Sequence, residues 1–361
     1  MDRTSEFQAI ANTLQARVVR EGEAFLVVGG DSLEALRSLP DDCVSLIVTD
    51  PPYHSTKKSN IRGDTAFEED EHFLEWMQEY AAEWKRILKL SGTAYVFCAS
   101  QMAARLEVGI GRHMRPIGQV TWTKPNDPGY DGWKGKMRKQ SLRSWYPHSE
   151  RVLMFEQGTY GSREAYRRSP LGEYLLECRK AAGLSMVELT EQIGAYGRVN
   201  RGGAVANWEA GRNVPSADQY AKLAETLEAT GRIASMLPYD DAVRPFNVDK
   251  DVPFVDVWDF SSVRPFPGKH PAEKPIEMLT HIVAASSYPG DVVLDCFAGS
   301  GTTGIAAMSL GRRSVCMEIE ESWNSVAAEV LASASSGCEV SKPERGRQSH
   351  RTELTVDCLF D

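Results

Sequence analysis

Two short apolar runs, each stopped by a turn that carries reactive groups, constrain this chain more than anything else in it. The first, Val44-Ser45-Leu46-Ile47-Val48-Thr49, stops at Asp50-Pro51-Pro52-Tyr53. Prolines cannot donate to a β-ladder, so they end the strand. A carboxylate and an aromatic ring therefore project from a stiff turn at the carboxyl edge of a sheet, where α/β proteins place ligands. Taken alone, the four residues describe a tight strand-ending turn equally well.

The second run, Val292-Val293-Leu294-Asp295, leads into Cys296-Phe297-Ala298-Gly299-Ser300-Gly301-Thr302-Thr303 and a predicted helix from near Gly304. Glycines let a backbone approach a ligand closely, and free amides at a helix start favour an anionic group. Downstream, Arg313 to Glu320 reads as the next strand, ending in acid. Glu318 stands roughly 20 residues on, where dinucleotide-type folds put a ribose-binding carboxylate. A generic Gly-rich turn and a solvated strand end are the plain alternatives.

Further segments join these two: Gly29-Gly30-Asp31, Gly92 to Phe97, Thr121 to Asn126, Ser149 to Phe155, and His270-Pro271-Ala272-Glu273-Lys274-Pro275. Together they resemble the amino-methylating DNA methyltransferases that use S-adenosylmethionine. The catalytic motif precedes the cofactor motif, as in the β subgroup of that family. The resemblance spans about residues 24–156 and 252–330. It implies an α/β fold with a doubly wound, Rossmann-like sheet. It also implies methyl transfer to the exocyclic N6 of a flipped-out adenine in double-stranded DNA.

In such an enzyme Asp50, Pro51, Pro52 and Tyr53 are catalytic. Asp50 and the Pro51 carbonyl would accept the two amino N–H groups, and Tyr53 would stack on the base. The resemblance assigns Asp295, Phe297, Ala298, Gly299, Ser300, Gly301, Thr302, Thr303 and Glu318 to the cofactor. Asp31 is expected near its adenine, and Lys274 near its carboxylate. Asp31 also reads as a helix cap and Lys274 as a surface residue. The alternatives for the activity are N4-cytosine methylation, methylation of RNA or a protein amide, and a DNA-binding regulator with a vestigial methyltransferase fold.

The net charge of −9 argues against a nucleic-acid partner only as a sum, because distribution matters more. Lys134, Lys136, Arg138, Lys139 and Arg143 cluster with Trp133, Trp145 and Tyr146 in a stretch without periodicity. That composition suits a loop that follows phosphates and stacks on bases. Residues 171–232 read as four helices, with a glycine stop at Gly183 and a capping box at Ser185 to Glu188. They resemble the helix-turn-helix domain of phage repressors and Xre regulators. Asn207 and Arg212 are candidates for base contact, Arg198 and Arg201 for phosphate, and Trp208 and Glu209 for scaffold. A structural or partner-binding helical insert is the alternative.

The expected division is a catalytic part over 1–115, a target-recognition region over 116–168, the helical insert over 169–237, a cofactor part over 238–332 and a mobile tail over 333–361. The segment Pro238 to Pro253 is expected to be irregular. Seven scattered cysteines without a CxxC pair suggest neither a disulfide framework nor a zinc site, and no metal is expected. With no apolar run of membrane length and no signal pattern at the start, the expected location is cytoplasmic. The resemblance and the symmetry of duplex sites point to a homodimer. A restriction partner and the recognition sequence are not legible.

Overall fold

The computed structural model describes residues 3–53, 67–125, 140, 143–145, 148–158, 168–195, 203–248, 254–264 and 269–336. A nine-stranded mixed sheet organises them. Its strands are β1 (Val18–Gly22), β2 (Phe25–Gly29), β3 (Val44–Thr49), β4 (Leu88–Ala99), β5 (Arg115–Trp122), β6 (Glu150–Glu156), β7 (Val257–Trp258), β8 (Val292–Asp295) and β9 (Arg313–Glu318). In space they run β1-β2-β9-β8-β3-β4-β6-β5-β7. The central strands β2, β9, β8, β3 and β4 are parallel, and β6 inserts antiparallel between β4 and β5.

The twofold alternation of side chains splits the core into two layers. Leu26, Val28, Ile47, Val96, Leu294 and Met317 face α1 (Arg3–Leu14), α2 (Ser32–Ser38), α3 (Asp70–Ile87) and α4 (Ala103–Ile110). Leu46, Val48, Phe97 and Val293 face the other way. Helices α10 (Ile276–Ser286) and α11 (Thr302–Ser309) pack there. Phe25, Val27 and Cys316 meet α12 (Glu321–Ser335) on that same side. β3 is buried along its whole length, as expected of a parallel strand covered on both faces.

The hairpin β1-β2, which has no place in the sequence reading, precedes Val44 to Thr49. Two sequence expectations are corrected. The connection after Pro238 is not wholly irregular. Tyr239–Ala242 forms a short helix, α9, whose acids are used: Asp241 accepts from the buried Lys89 at 2.8 Å, and Asp240 pairs with Arg3 at 3.3 Å. Finally, α12 continues to Ser335, three residues into the stretch expected to be mobile. Beyond Ser336 that tail lies outside the described residues. No helix among the described residues is long and apolar enough to cross a membrane.

The helical segment builds a core of its own. Helices α5 (Pro170–Ala182), α6 (Met186–Ile193), α7 (Gly203–Glu209) and α8 (Ala217–Glu228) enclose Leu175, Leu189, Ile193, Val205, Trp208, Tyr220, Leu223 and Leu227. Gly183 ends α5 in the left-handed region at φ 73°, and Ser185 and Glu188 cap α6 reciprocally. Trp208 is buried, and Glu209 forms a two-pronged ion pair with the Arg179 guanidinium inside the module. Removing one partner of such a pair leaves a buried charge, which costs about 3–5 kcal/mol. Glu209→Ala should therefore loosen residues 170–228. Hydrogen exchange should show lost protection there and unchanged protection in β3 and β8, and a uniform loss would show that the two cores unfold as one.

Candidate functional site

Parallel neighbours β3 and β8 end side by side, which brings together two turns that lie about 245 positions apart in the sequence. One hydroxyl joins them. Thr49 Oγ1 donates to Asp295 Oδ1 at 3.0 Å and accepts from the Cys296 amide at 3.2 Å. Asp295 is itself buried, and it also accepts from the Phe297 amide at 3.1 Å and from Thr303 Oγ1 at 2.6 Å. Its carboxylate braces both turns. Burial pushes the carboxyl up to about 6, against the opposing pull of the Thr303, Phe297 and Thr49 hydrogen bonds.

Above these strand ends opens a cavity of about 610 Å³. That size suits a cofactor and part of a substrate. Glu318, at the end of β9, closes one side. Its Oε2 accepts from the Gly299 amide and its Oε1 from the Glu320 amide, both at 2.9 Å. Gly299 sits at φ 51°, and an added Cβ there would meet the His270 ring at 3.1 Å. Burial, with Lys274 and Lys269 nearby, drives His270 down to about 4, so it is neutral at physiological pH. An aromatic wall completes this half: the Phe297 ring lies 5.6 Å from Trp76 and 5.1 Å from Tyr80.

The other half of the cavity is a cluster of charge. Lys274, which is buried, donates to Asp50 Oδ2 and stands 3.7 Å from Glu150 Oε2. Lys124 donates to Glu150 Oε1, and Tyr53 donates to Glu150 Oε2 at 3.0 Å. A phenol has one proton. With that proton on Glu150, Asp50 Oδ1 is left buried without a hydrogen-bond partner. Such an atom costs on the order of 1–3 kcal/mol, and in a cavity it marks where a donor belongs.

Burial raises the Asp50 carboxyl above its ordinary range, an effect that Lys274 opposes and Glu150 reinforces. Burial acts on Glu150 in the same direction. There the charges of Lys274 and Lys124 outweigh it and hold the group below the usual glutamate range. Lys274 stays above its ordinary value because Asp50 and Glu150 overcome its desolvation. Topology explains the meeting: β6 is antiparallel, so its first residue, Glu150, lies at the edge where β4 and β5 end. Lys124 follows β5 with a left-handed backbone, φ 50°. A non-glycine residue held there stores strain of a kind that gathers at functional sites.

Residues 44–329 match the DNA methylase family of N6- and N4-amino methyltransferases. The chain belongs to that family. It is an S-adenosylmethionine-dependent DNA methyltransferase of the N6/N4 type. Among its relatives, the Escherichia coli protein named DNA adenine methyltransferase YhdJ is 26% identical over 92% of this chain and 93% of its own. The Bacillus subtilis type II methyltransferase M.BglII is 22% identical over 85% of this chain and 68% of its own. The solved structure of the cytosine-N4-specific PvuII DNA methyltransferase superposes with a TM-score of 0.49. It is 16% identical, over 87% of this chain and 92% of that one.

The methyltransferase brings Asp50, Pro51, Pro52, Tyr53, Asp31, Asp295, Phe297, Ala298, Gly299, Ser300, Thr302, Thr303, Glu318 and Lys274 to the walls of one cavity. Their parts differ from the expectations in detail. Asp31 caps α2, accepting from the Leu33 amide at 2.8 Å, and also faces the cavity. Gly301 is not among the lining residues: it opens α11 at φ 81°, and an added Cβ there would meet Ala327 at 3.2 Å. Lys274, expected beside the cofactor carboxylate, has its ammonium on Asp50. The wall residues fit S-adenosylmethionine, with a strand-end carboxylate for hydroxyls, aromatic faces for a nucleoside and a bare glycine turn.

Glu150, Lys124, Trp76 and Tyr80 have no place in the sequence reading as site residues. The α3 aromatics recur at helical spacing, which signals a buried face. Nothing in the sequence marks that face as a cavity wall. Of the expected DNA contacts, Arg143 is exposed, Arg212 is exposed and donates to Asn207 Oδ1 at 3.1 Å, and both belong to the described residues. Lys134, Lys136, Arg138, Lys139, Arg198 and Arg201 lie outside them.

Because its folded carboxyl is raised from the free value, Asp295 favours the folded state when protonated, and that benefit is lost as pH rises from about 4 through about 6. Asp295→Asn removes the titration. The stability of the variant relative to the parent should improve by up to about 3 kcal/mol across that window. Denaturant melts at several pH values measure it, and a pH-independent difference would show that the carboxyl is not raised.

Proposed function

We propose that this methyltransferase transfers a methyl group to the N6 amino nitrogen of an adenine flipped out of duplex DNA. The observation that carries the reading is Asp50, a carboxylate with an unpartnered oxygen, in the cavity that also holds Gly299, Phe297 and Glu318. In the resembling family an Asp before Pro-Pro-Tyr usually accompanies adenine and a Ser cytosine. The similarity to a relative named as an adenine methyltransferase, over nearly the whole chain, supports the same choice.

S-adenosylmethionine supplies an electrophilic methyl group on a sulfonium. The residues of the chain do the rest. An exocyclic amino nitrogen is a poor nucleophile because its lone pair is delocalised into the ring. Asp50 accepts one N–H and the Pro51 carbonyl the other, which draws the nitrogen towards tetrahedral geometry and frees its lone pair. Tyr53 gives the extruded base a surface to stack on. Glu318 holds the ribose hydroxyls, Asp31 stands near the adenine of the cofactor, and the Gly-rich turn cradles its chain. The four-helix module reads DNA through Asn207 and Arg212. The basic stretch from Lys134 to Arg143 follows phosphates, and two copies act on a symmetric site.

Asp50→Ala should slow single-turnover methylation by on the order of 100-fold or more while S-adenosylmethionine binding, by calorimetry, changes little. A near-normal rate would overturn the mechanism. Nucleoside digestion of the methylated DNA should yield N6-methyladenine, and N4-methylcytosine would assign the other amino group. Asn207→Ala with Arg212→Ala should lower site preference, since a good base contact is worth roughly 1–3 kcal/mol. Sequence-resolved methylation that is unchanged in that variant would remove the module from base reading.

A further inference from the structure

In the described conformation Asp50 is not yet open to an amino group: Oδ2 carries the Lys274 ammonium, and the unpartnered Oδ1 is shielded from solvent. Among the described residues, Glu150 is the other acid that pairs with the cation. Lys274 Nζ lies 3.7 Å from Glu150 Oε2, and it also touches the Ala272 carbonyl at 3.3 Å. The ammonium also lies against two rings, its Nζ 5.4 Å from the Tyr53 centroid and 5.3 Å from that of Phe97. A shift of about 1 Å towards Glu150 would close the gap to ordinary hydrogen-bond distance.

We propose that Lys274 is a two-position counterion, capping Asp50 until the target amino group enters and then passing to Glu150, so that Glu150 is a positioning residue for the transfer. This rests on the base-handling role of Asp50 given above. The move never leaves the ammonium unpaired, which matters because an uncompensated charge in a buried site is strongly unfavourable. Glu150 is prepared as recipient: Lys124 and Tyr53 already orient both of its oxygens, and it is held ionised. The strained backbone of Lys124 serves that preparation. Once Lys274 has moved, Asp50 is free to turn an oxygen to the incoming N–H and keep its negative charge for the positive charge that develops on nitrogen.

Single-turnover methylation of unmodified genomic DNA tests this in four proteins. Glu150→Gln should slow transfer by about 10- to 100-fold, since a neutral amide offers the ammonium an acceptor but no compensating charge, and Lys274 stays on Asp50. Adding Lys274→Met to Glu150→Gln removes the cap and the need for a recipient, so the double variant should be faster than Glu150→Gln alone. An unchanged Glu150→Gln rate, or a double variant no faster than the single, overturns the proposal. Asp50→Ala separates the two levels. If it is near-normal, the base-handling reading fails as well; if it is inactive while the rescue is missing, only the counterion exchange fails. Should Glu150→Gln melt early, a crystal structure of the unaltered enzyme decides the question. It would hold a duplex carrying the mapped site and a cofactor analogue without a transferable methyl. Lys274 should then hydrogen-bond Glu150 and stand clear of Asp50, and a lysine still on Asp50 beside a bound amino group refutes the exchange.

Discussion

The buried carboxylate of Asp295 is the point on which the rest of the site depends. It takes hydrogen bonds from Thr49 on β3, from the amide of Phe297 and from Thr303 at the start of α11. A single anion thus ties the strand that ends in Asp50 to the turn that carries Gly299. It does so where burial disfavours its charge, so the hydrogen bonds oppose the desolvation and set the geometry. If the brace were apolar, the two strand ends would still pair, but neither turn would be held in a particular orientation.

A second anion pair works on the opposite wall. Asp50 and Glu150 are both nearly enclosed, and two lysines neutralise them. Such clusters are weak contributors to stability, because desolvation offsets most of the attraction. Their value lies in specification. Four charges that must remain mutually paired admit few arrangements, and the structure holds one in which the catalytic carboxylate is occupied. The helical module stands apart from this chemistry. It keeps a separate apolar core, to which Ala242 of α9 contributes, and buried Lys89 on β4 bonds both Asp241 of α9 and Glu6 of α1.

Local chemistry made several parts legible before any fold was known. Six residues, four of them apolar, stopped by two prolines read as a strand and a stiff turn, and β3 ends so. Gly183 and the Ser185–Glu188 box mark helix ends through their own backbone preferences, so α5 ends and α6 begins where the sequence places those boundaries. The hairpin β1-β2 was missed because its first strand is largely exposed and carries Arg20 and Glu21. The short helix α9 was hidden by its acids, which look like a solvated link until Lys89 and Arg3 are seen to meet them.

By itself the sequence determined the two strand-turn motifs, the family they belong to and the presence of a helical segment between them, since each depends on residues near one another in the chain. Only the tertiary structure decided which carboxylates share a cavity. Glu150 reads as a lone acid in a basic stretch. It becomes part of the site because β6 runs antiparallel and so starts at the edge where the parallel strands end. Lys274 reads as a contact for the cofactor carboxylate or as a surface lysine, and it is buried with its ammonium on Asp50, 224 positions away. Pairing between distant charges depends on strand order and direction, and those are properties of the whole sheet that no local segment encodes.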